Sequence, residues 1–337
     1  MSIKVGILGV GGYTGLELVK LIKNHPEFEL SYAATTSKNS LSNIFTQLNG
    51  VIDLDVNVVN VGELKERAEL VFMAMPHTQS MNYIKELPQD FKIVDLSADY
   101  RISLENYEAH YAHHIDILGL KRATYGLVEI NRQAIANSTL IANPGCYPTC
   151  SLLAALPFAK FLNPKDGLII DAKSGLSGAG KALKESSHFV SANENCTPYS
   201  PFTHRHSIEI KEHFEKSTNA SFDVLFVPHL LPLNRGMIAS IYASIKDEFC
   251  DIEPLEILKQ FYKDDKFIRI LNTPPCIKNV AGTHFCDIYA KKMGNKLWVC
   301  SSIDNLLRGA SSQAMANANI LCGFDENLAL PELGCGI

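Results

Sequence analysis

Hydrophobic and polar residues alternate along the first 145 residues in a pattern that predicts a parallel α/β sheet. Short apolar runs that end in turn residues are typical of buried parallel strands. The first run is followed by apolar residues at helical spacing (Leu16, Val19, Leu21 and Ile22). Strands and helices that alternate with short turns predict a doubly wound, Rossmann-type sheet. The runs interpreted as strands are IKVGILGV, EFELSYAATTS, ELVFMAMP and FKIVDLS.

The pattern changes after residue 145. One apolar helical segment, TCSLLAALPFAKFL, is expected to begin its helix near Pro148, and strand-like runs with few helices between them follow it. This texture predicts an α+β domain with a mixed or antiparallel sheet. The tail NLLRGASSQAMANANILC returns to helical spacing and is expected to pack back on the Rossmann domain. We therefore predict boundaries at 1–145, 146–302 and 303–337.

Length, charge and cysteine content narrow the class of protein. A chain of 337 residues exceeds what one hydrophobic core usually supports. The net charge of −5, with no basic run, argues against nucleic acid or a membrane surface as partner. No signal peptide or membrane span is expected, and nine irregularly spaced cysteines favour reduced thiols in a cytoplasmic protein. The cluster HYAHH (110–114) lacks zinc spacing, so we predict no metal site.

A glycine-rich turn follows the first predicted strand. In GVGGYTG, Gly9, Gly11, Gly12 and Gly15 give the spacing G-x-G-G-x-x-G, one residue longer than the usual dinucleotide fingerprint. Glycines allow the backbone to approach a pyrophosphate, and the helix N-terminus that follows supplies N–H donors. The turn therefore predicts a dinucleotide site, in which Tyr13 and Thr14 also take part.

The end of the second predicted strand indicates which dinucleotide binds. Sheets that bind NAD usually carry Asp or Glu there, whereas NADP requires room and positive charge. This chain has TTSKNS (35–40), with Ser37 and Lys38 and no carboxylate. The loop therefore favours NADP(H); the alternative is a polar loop that contacts no ligand.

Cys146, in NPGCYPT, stands out among the cysteines because it lies between a predicted strand and a predicted helix. A helix N-terminus favours the thiolate, which is the reactive form of cysteine. A thiolate beside a nicotinamide suggests a covalent thioester that exchanges hydride at its carbonyl carbon. The alternative is a small buried residue at a helix start. THRHSIEI offers a proton carrier in His204 or His206, with Glu209 to orient it; either histidine could equally be a surface residue.

Eight motifs, in this order, resemble those of the N-acetyl-gamma-glutamyl-phosphate reductase family, a relative of aspartate-semialdehyde dehydrogenase. The resemblance spans nearly the whole chain and implies NADPH-dependent reduction of an acyl phosphate to a semialdehyde, in a homodimer or homotetramer. It also implies that residues 1–145 bind NADP and that residues 146–302 carry catalysis and oligomerisation. The motifs are GVGGYTGLEL, DLSADYR, YGLVEINR, NPGCYPT, SGLSGAGK, HRHSIEI, VPHLLPLNRGM and DNLLRGASSQAMAN.

Carried over by position, the resemblance implies a role for each matching residue. Cys146 corresponds to the nucleophile, His204 to the acid/base residue and Glu209 to its orienter. Arg101 and Asn143 correspond to phosphate-side groups, and an arginine fork suits phosphate oxygens. The remaining candidates are Ser177, Gly178 and Asn305 for the cofactor, Lys181 for the substrate and, more weakly, Arg205, His206 and Arg235 for the substrate carboxylate.

Two alternatives stay open. The same chemistry could act on another acyl phosphate, such as aspartyl phosphate or a carrier-bound aminoadipyl phosphate. A catalytically inactive NADP-binding sensor could also use this fold, although a sensor need not keep all of Cys146, His204, Glu209 and Arg101.

Overall fold

The computed structural model describes residues 2–218 and 220–334, and the chain divides into two compact units. The first unit runs to Pro144 and adds Ala310–Leu330; the second is Gly145–Gly309 with the segment that begins at Pro331. No helix in the described residues has the length and apolar character to cross a bilayer. The strands of the first unit are β1 (Ile3–Leu8), β2 (Phe28–Thr35), β3 (Asn39–Ser40), β4 (Asp55–Val58), β5 (Leu70–Met73), β6 (Lys92–Asp95), β7 (Thr124–Tyr125) and β8 (Leu140–Ala142).

The first unit is built on an eight-stranded sheet in the order β3-β4-β2-β1-β5-β6-β8-β7. All neighbours pair in parallel except β3 and β4. Without the two edge strands this is the doubly wound 3-2-1-4-5-6 order. Successive strands are added outward on one side of β1 and then, from β5 onward, on the other side, so the switch point lies between β1 and β5. The helices of the unit are α1 (Tyr13–Lys23), α2 (Leu41–Ile44), α3 (Val61–Arg67), α4 (Ser80–Ile84), α5 (Leu104–His110), α6 (Ile117–Arg122), α7 (Val128–Ala136) and α13 (Ser312–Leu321).

The last helix, α13, completes the first unit, as the return of helical spacing in the tail predicted. It contacts α1, α7 and β6. Its polar residues are buried with hydrogen bonds: Asn317 Nδ2 donates to Gly126 O at 2.9 Å, and Asn319 Oδ1 lies 2.9 Å from His25 Nε2. Buried amides of this kind tie a helix to one position, because moving it would leave polar groups unsatisfied.

The second unit contains a seven-stranded mixed sheet in the order β10-β11-β9-β12-β15-β14-β13. The β11–β9 and β13–β14 pairs are parallel and the others antiparallel. The strands are β9 (Leu168–Gly175), β10 (Thr197–Pro198), β11 (Val224–Leu231), β12 (Met237–Ser244), β13 (Ile268–Ile270), β14 (Cys286–Met293) and β15 (Lys296–Ile303), and the helices are α8 (Cys146–Ala155), α9 (Phe189–Ala192), α10 (His206–Glu215), α11 (Pro254–Phe261) and α12 (Ile277–Val280).

One face of this sheet carries helices, whereas the other has an exposed apolar patch. Helix α8 contacts β12 and β15 and is buried from Tyr147 to Ala155, which suits its uniformly apolar sequence. The opposite face exposes about half of Ile169, Tyr242 and Leu225. Ile169 and Tyr242 also line a groove of about 640 Å³ with Trp298. We refer to Ile169, Leu225, Tyr242 and Trp298 as the bare face.

The predicted fold class, a Rossmann-type sheet followed by an α+β domain, is confirmed. Two details differ. Helix α8 begins at Cys146, two residues before the expected start near Pro148, and its α-helical part ends at Ala155, before a 3₁₀ segment (Leu156–Phe161) that contains Pro157. Proline fits the first turn of a helix, where its missing N–H has no intrahelical partner, so Pro148 does not have to mark the first residue.

Candidate active site

The glycine turn of the first unit joins β1 to α1 at the carboxyl end of the sheet. Gly9 has a φ of +85°, and a Cβ there would lie 2.3 Å from the carbonyl oxygen of Ala74, just after β5. A Cβ on Gly15 would lie 2.4 Å from the carbonyl oxygen of Val10. Only glycine permits this close packing at the switch point between β1 and β5. Helix α1 begins at Tyr13 after Gly12, and its first N–H groups have no intrahelical acceptors.

The loop after β2 lies beside this turn. A Cβ on Gly11 would sit at an ordinary contact distance of 3.5 Å from Thr35 Cγ2. The Thr35 hydroxyl donates to the carbonyl oxygen of Ser37 at 2.9 Å, which folds the loop back on the strand end. Ser37 and Lys38 are exposed. The structure thus brings Thr35, at the start of the predicted loop, next to the glycine turn.

Arg101 and Asn143, the predicted phosphate-side pair, lie together in the first unit and are buried. Arg101 Nε donates to the carbonyl oxygen of Asn143 at 2.7 Å, and its Nη2 donates to Leu96 O at 2.7 Å. The Asn143 side chain donates to Ala310 O at 3.2 Å and accepts from Asn317 Nδ2 at 3.1 Å. Both side chains therefore have structural hydrogen bonds in the loops that follow β6 and β8.

Two buried carboxylates organise the DLSADYR loop that carries Arg101. Asp99 accepts the Thr78 N–H at 2.6 Å and the Tyr107 hydroxyl at 2.9 Å. Burial and the neighbouring Asp99 raise the pKa of Asp95 to about 7. Sequence reasoning missed these residues, although the two aspartates, the first directly after the run KIV and the second four residues later, were a visible signal.

In the second unit, Cys146 occupies the first position of α8 and is half-buried. Cys150, one turn further, is fully buried against Ser301, and burial raises the pKa of its thiol to about 12. The helix therefore carries one thiol at its start and one in the core. Only the first is placed for chemistry.

Glu209 holds the backbone at the start of α8. Its carboxylate is buried and accepts the Gly145 N–H at 2.9 Å. Glu209 thus orients the residue before Cys146. The predicted orienting contact between Glu209 and His204 stays a prediction.

His204 lies among aromatic side chains, one of which is Tyr147, the residue that follows Cys146. Its ring packs edge-on against Tyr147, Tyr199 and Phe226, with centroids 5.4 to 5.7 Å apart. Its Nδ1 accepts the His206 N–H at 3.1 Å, which places the ring hydrogen on Nε2. Burial, with a smaller effect of Arg205, lowers the pKa of His204 to about 4, so the imidazole is neutral near pH 7.

The predicted cofactor residues Ser177 and Asn305 meet in the second unit. Asn305 Nδ2 donates to Ser177 Oγ at 3.0 Å, and its Oδ1 accepts the Gly236 N–H at 2.6 Å. Gly178 is next to them: a Cβ there would lie 3.8 Å from Asn305 Nδ2. Lys181 is exposed on the segment that follows.

The substrate-side candidates of the second unit separate into two groups. Arg205 is exposed just before α10, and the His206 ring lies 4.8 Å from the ring of His204. Arg235 instead pairs with the buried carboxylate of Asp304, through Nε at 2.7 Å and Nη2 at 3.0 Å. The weak candidate Arg235 thus has a structural ion pair.

Each histidine of the HYAHH cluster (110–114) forms a hydrogen bond with a protein group. His113 Nδ1 lies 2.6 Å from a Glu108 oxygen, and His114 Nε2 lies 2.7 Å from Asp99 O. His110 Nδ1 lies 2.9 Å from the carbonyl oxygen of Asn106. These contacts account for the cluster as part of the fold of the first unit.

Comparison with known proteins defines the class first. Residues 4–138 match the family model of the semialdehyde dehydrogenase NAD binding domain, and residues 146–305 match that of the semialdehyde dehydrogenase dimerisation domain. Solved structures share the fold: aspartate semialdehyde dehydrogenase II from Vibrio cholerae complexed with ASA (TM-score 0.72, 16% identity, 96% of this chain and 98% of that one) and aspartate semialdehyde dehydrogenase with NADP from Candida albicans (TM-score 0.71, 14% identity, 97% and 99%). The class is that of the semialdehyde dehydrogenases.

Relatives at high identity define the family within that class. N-acetyl-gamma-glutamyl-phosphate reductases match this chain at 55% identity in Campylobacter curvus (98% of both chains), 53% in Campylobacter hominis (99% of both) and 50% in Wolinella succinogenes (98% of both). The chain belongs to the N-acetyl-gamma-glutamyl-phosphate reductase family. The predicted resemblance is confirmed.

Proposed function

We propose that this protein reduces N-acetyl-gamma-glutamyl phosphate to N-acetylglutamate 5-semialdehyde and phosphate with NADPH, a step of arginine biosynthesis. The observation that carries the proposal is the position of Cys146, the first residue of α8, next to a Gly145 N–H that is held by Glu209. The names of the relatives at 50% to 55% identity support the substrate.

In the proposed reaction the Cys146 thiolate forms a C–S bond with the γ-acyl carbon. The C–O bond to phosphate breaks, and phosphate leaves with its electron pair. Reduction of the thioester carbon by one hydride then gives a thiohemiacetal oxyanion. As the aldehyde forms, the C–S bond breaks and its electron pair returns to Sγ. The net reaction consumes one proton, which ends on the leaving phosphate.

His204 is proposed to handle that proton. Because its Nδ1 accepts the His206 N–H, the neutral ring carries its hydrogen on Nε2 and can donate a hydrogen bond to a charged oxygen; as an acid it would first have to take up a proton from solvent at Nδ1, in place of the bond to His206. The N–H groups at the start of α8 are proposed to stabilise the oxyanion, an effect that is often worth about 3 kcal/mol. Arg101 and Asn143 are proposed for the phosphate, and Lys181, Arg205 and His206 for the remainder of the substrate.

The glycine turn of the first unit fits the pyrophosphate of NADP(H). Side chains are absent from Gly9, Gly11, Gly12 and Gly15, and the start of α1 offers N–H donors and the positive end of its dipole. Lys38 supplies positive charge, in a loop without a carboxylate. When bound, NADPH supplies the hydride. Tyr13, Thr14 and Ser37 are proposed contacts in this unit, and Ser177, Gly178 and Asn305 in the other.

The oligomer is proposed to be a homodimer or homotetramer in which a second copy covers the bare face. This face lies within the residues that match the dimerisation domain, and it exposes about half of Ile169, Leu225 and Tyr242. Exposed apolar patches of this kind mark interaction surfaces.

We also propose that the enzyme acts in the cytoplasm, where the free thiols of the described cysteines would stay reduced.

A spectrophotometric assay in the reverse direction tests the reaction. N-acetylglutamate semialdehyde, phosphate and NADP⁺ are supplied, with aspartate semialdehyde in parallel and Cys146→Ser as the control. We expect NADPH absorbance only with the acetylated substrate and a loss of roughly 10⁴-fold or more in the serine variant. Activity with aspartate semialdehyde alone would shift the substrate to another acyl phosphate. Silence with both aldehydes, while NADP⁺ still binds, would leave the sensor.

A further inference from the structure

The segment of residues 304–309 contacts the nucleophile; it enters a π-helical stretch at Leu307 (Leu307–Ser311), and we refer to it as the 304–309 turn. A Cβ built on Gly309 would lie 2.7 Å from Cys146 Cβ and 3.2 Å from Cys146 Cα. Real Cβ atoms do not approach other heavy atoms that closely, so any side chain at position 309 would force one of the two residues to move. The φ of Gly309 lies outside the left-handed region. Glycine is therefore required here by the contact with Cys146.

Asp304 fixes the turn that presents Gly309. Its carbonyl oxygen accepts the Gly309 N–H at 2.9 Å. Its carboxylate is fully buried and accepts the N–H groups of Leu306 at 2.9 Å and Leu307 at 3.0 Å, in addition to the paired donors of Arg235. The Gly282 N–H donates to the same carboxylate at 2.6 Å. One carboxylate thus joins three segments of the second unit behind the nucleophile.

Arg308 adds a second anchor to the same turn. Its guanidinium is buried and bonds through Nη1 to Nε2 of His284, which is also buried. Burial and the adjacent guanidinium keep the pKa of His284 well below its ordinary value, so the imidazole is neutral and can accept this hydrogen bond. Arg308, the residue before Gly309, is therefore anchored by a buried hydrogen bond, as Asp304 is.

We propose that the 304–309 turn is a positioning element for the nucleophile, with Asp304 and Gly309 as positioning residues. The turn contacts Cys146 through Gly309, while Glu209 binds the N–H of Gly145. The proposal rests on the proposed function, in which Cys146 forms the thioester. It assigns to Asp304 a role in placing Sγ through Gly309, without contact with substrate or cofactor.

Gly309→Ala is the direct test. Misplacement of a reacting group by about 1 Å can cost roughly 10²-fold in rate. We expect kcat to fall at least tenfold while KM changes less than about threefold, since substrate-binding groups are left in place. The rate of Cys146 alkylation by iodoacetamide, followed by peptide mass spectrometry, should fall in parallel. The exposed thiols of Cys196 and Cys276 serve as internal references in the same sample.

Asp304→Asn tests the anchor, and Asp287→Asn is its matched control. Asp287 is equally buried and pairs with Arg269 through Nε at 2.5 Å and Nη2 at 3.0 Å, on the outer strands β13 and β14 of the same sheet. Both substitutions break a buried arginine pair, so both should lower the melting temperature. We expect kcat and Cys146 alkylation to fall about tenfold only in Asp304→Asn.

Three outcomes would overturn the proposal. They are a Gly309→Ala variant with the kcat of the wild type, an Asp304→Asn variant that matches Asp287→Asn in kcat, and a loss of alkylation at Cys196 and Cys276 as large as at Cys146. Failure of the proposed function gives a different result, because the wild type would then be silent with both aldehydes or Cys146→Ser would remain active, whereas failure of the present proposal leaves wild-type activity and its dependence on Cys146 intact. The two failures are therefore distinguishable.

Discussion

Two helix starts in this molecule share a local design and differ in what surrounds them. Helices α1 and α8 each follow a strand end, and each has a glycine before its first residue: Gly12 with φ −86° and ψ 174°, and Gly145 with φ −66° and ψ 156°. Neither glycine supplies a side-chain cap. At α1 the preceding turn consists largely of glycines. At α8 the N–H of Gly145 is taken by Glu209, and Gly309 packs against Cys146.

The difference shows how one backbone feature serves two purposes. Unsatisfied N–H groups at a helix start attract an anion. Where side chains are absent, as at α1, the anion can come from a ligand. At α8 the Glu209 carboxylate already binds the Gly145 N–H, and the helix start holds the Cys146 side chain in a fixed direction. The four predictions that follow either break or sharpen this contrast.

The largest effect is expected for Gly11→Ala at the α1 turn. The new Cβ would sit 3.5 Å from Thr35 Cγ2, so the folded protein tolerates it. The new methyl group would, however, occupy space that the pyrophosphate of the cofactor needs. We expect the Kd for NADPH to rise at least about tenfold, or 1.4 kcal/mol, with little change in melting temperature. Fluorescence titration with NADPH measures it, and unchanged affinity would contradict the assignment of the turn.

At the α8 start, Glu209→Ala should lower kcat by about tenfold, because a buried N–H without its acceptor costs about 1 to 3 kcal/mol and the Gly145 backbone would shift. Glu209→Gln keeps an acceptor oxygen and should retain most of the activity. Steady-state kinetics of the two variants separate the roles. If Glu209→Gln is as inactive as Glu209→Ala, then the negative charge, and not the hydrogen bond to Gly145, is what matters.

The neutral His204 beside α8 predicts a pH dependence of stability. Its pKa falls from an ordinary 6.5 to about 4 on folding, so the unfolded chain binds more protons than the folded chain between these values. The free energy of unfolding therefore decreases as the pH falls through this window, and His204 has no such effect above it. Between pH 7.5 and pH 5 the melting temperature should decrease more for the wild type than for His204→Asn. Equal decreases in the two proteins would refute the pKa shift of His204.

The smallest effect is expected for Lys38→Ala. An exposed charge contributes about 0.2 to 1 kcal/mol, so the Kd for NADPH should rise about threefold. The Kd for NADH should not change, because it lacks the 2′-phosphate. Titration with both cofactors provides the comparison. Equal weakening for NADPH and NADH would place Lys38 away from the 2′-phosphate.

Much of the fold could be predicted because it rests on local hydrophobic pattern. The predicted run IKVGILGV contains β1 (Ile3–Leu8), and FKIVDLS contains β6 (Lys92–Asp95). The missed strands β3, β7 and β10 have two residues each, too few to show a period. Strand β4 (Asp55–Val58) was missed as well, because its sequence DVNV lacks a continuous apolar run. They form through pairing with neighbours, such as β3 with β4, and pairing is not visible in a short segment.

The candidate site was predictable by residue type and less so by contact. Cys146 at a helix start follows from the glycine and prolines around it. The Glu209 bond to Gly145 joins residues 64 positions apart, and the contact of Gly309 with Cys146 spans 163 residues, so neither has a local signature. For Arg235, residue type suggested a ligand, whereas the ion pair with Asp304 depends on the fold.

The discontinuous first unit has a consequence for how the protein is made. During synthesis the segment up to Pro144 emerges first, yet α13, which donates to Gly126 O through Asn317, is translated some 170 residues later. A nascent chain therefore holds all eight strands of the Rossmann sheet but lacks the helix that packs against α1, α7 and β6, while the whole second unit is being added. A chain truncated before Ala310 would lack α13 and leave the surface that this helix covers exposed, and such exposure makes an unfinished chain prone to aggregation.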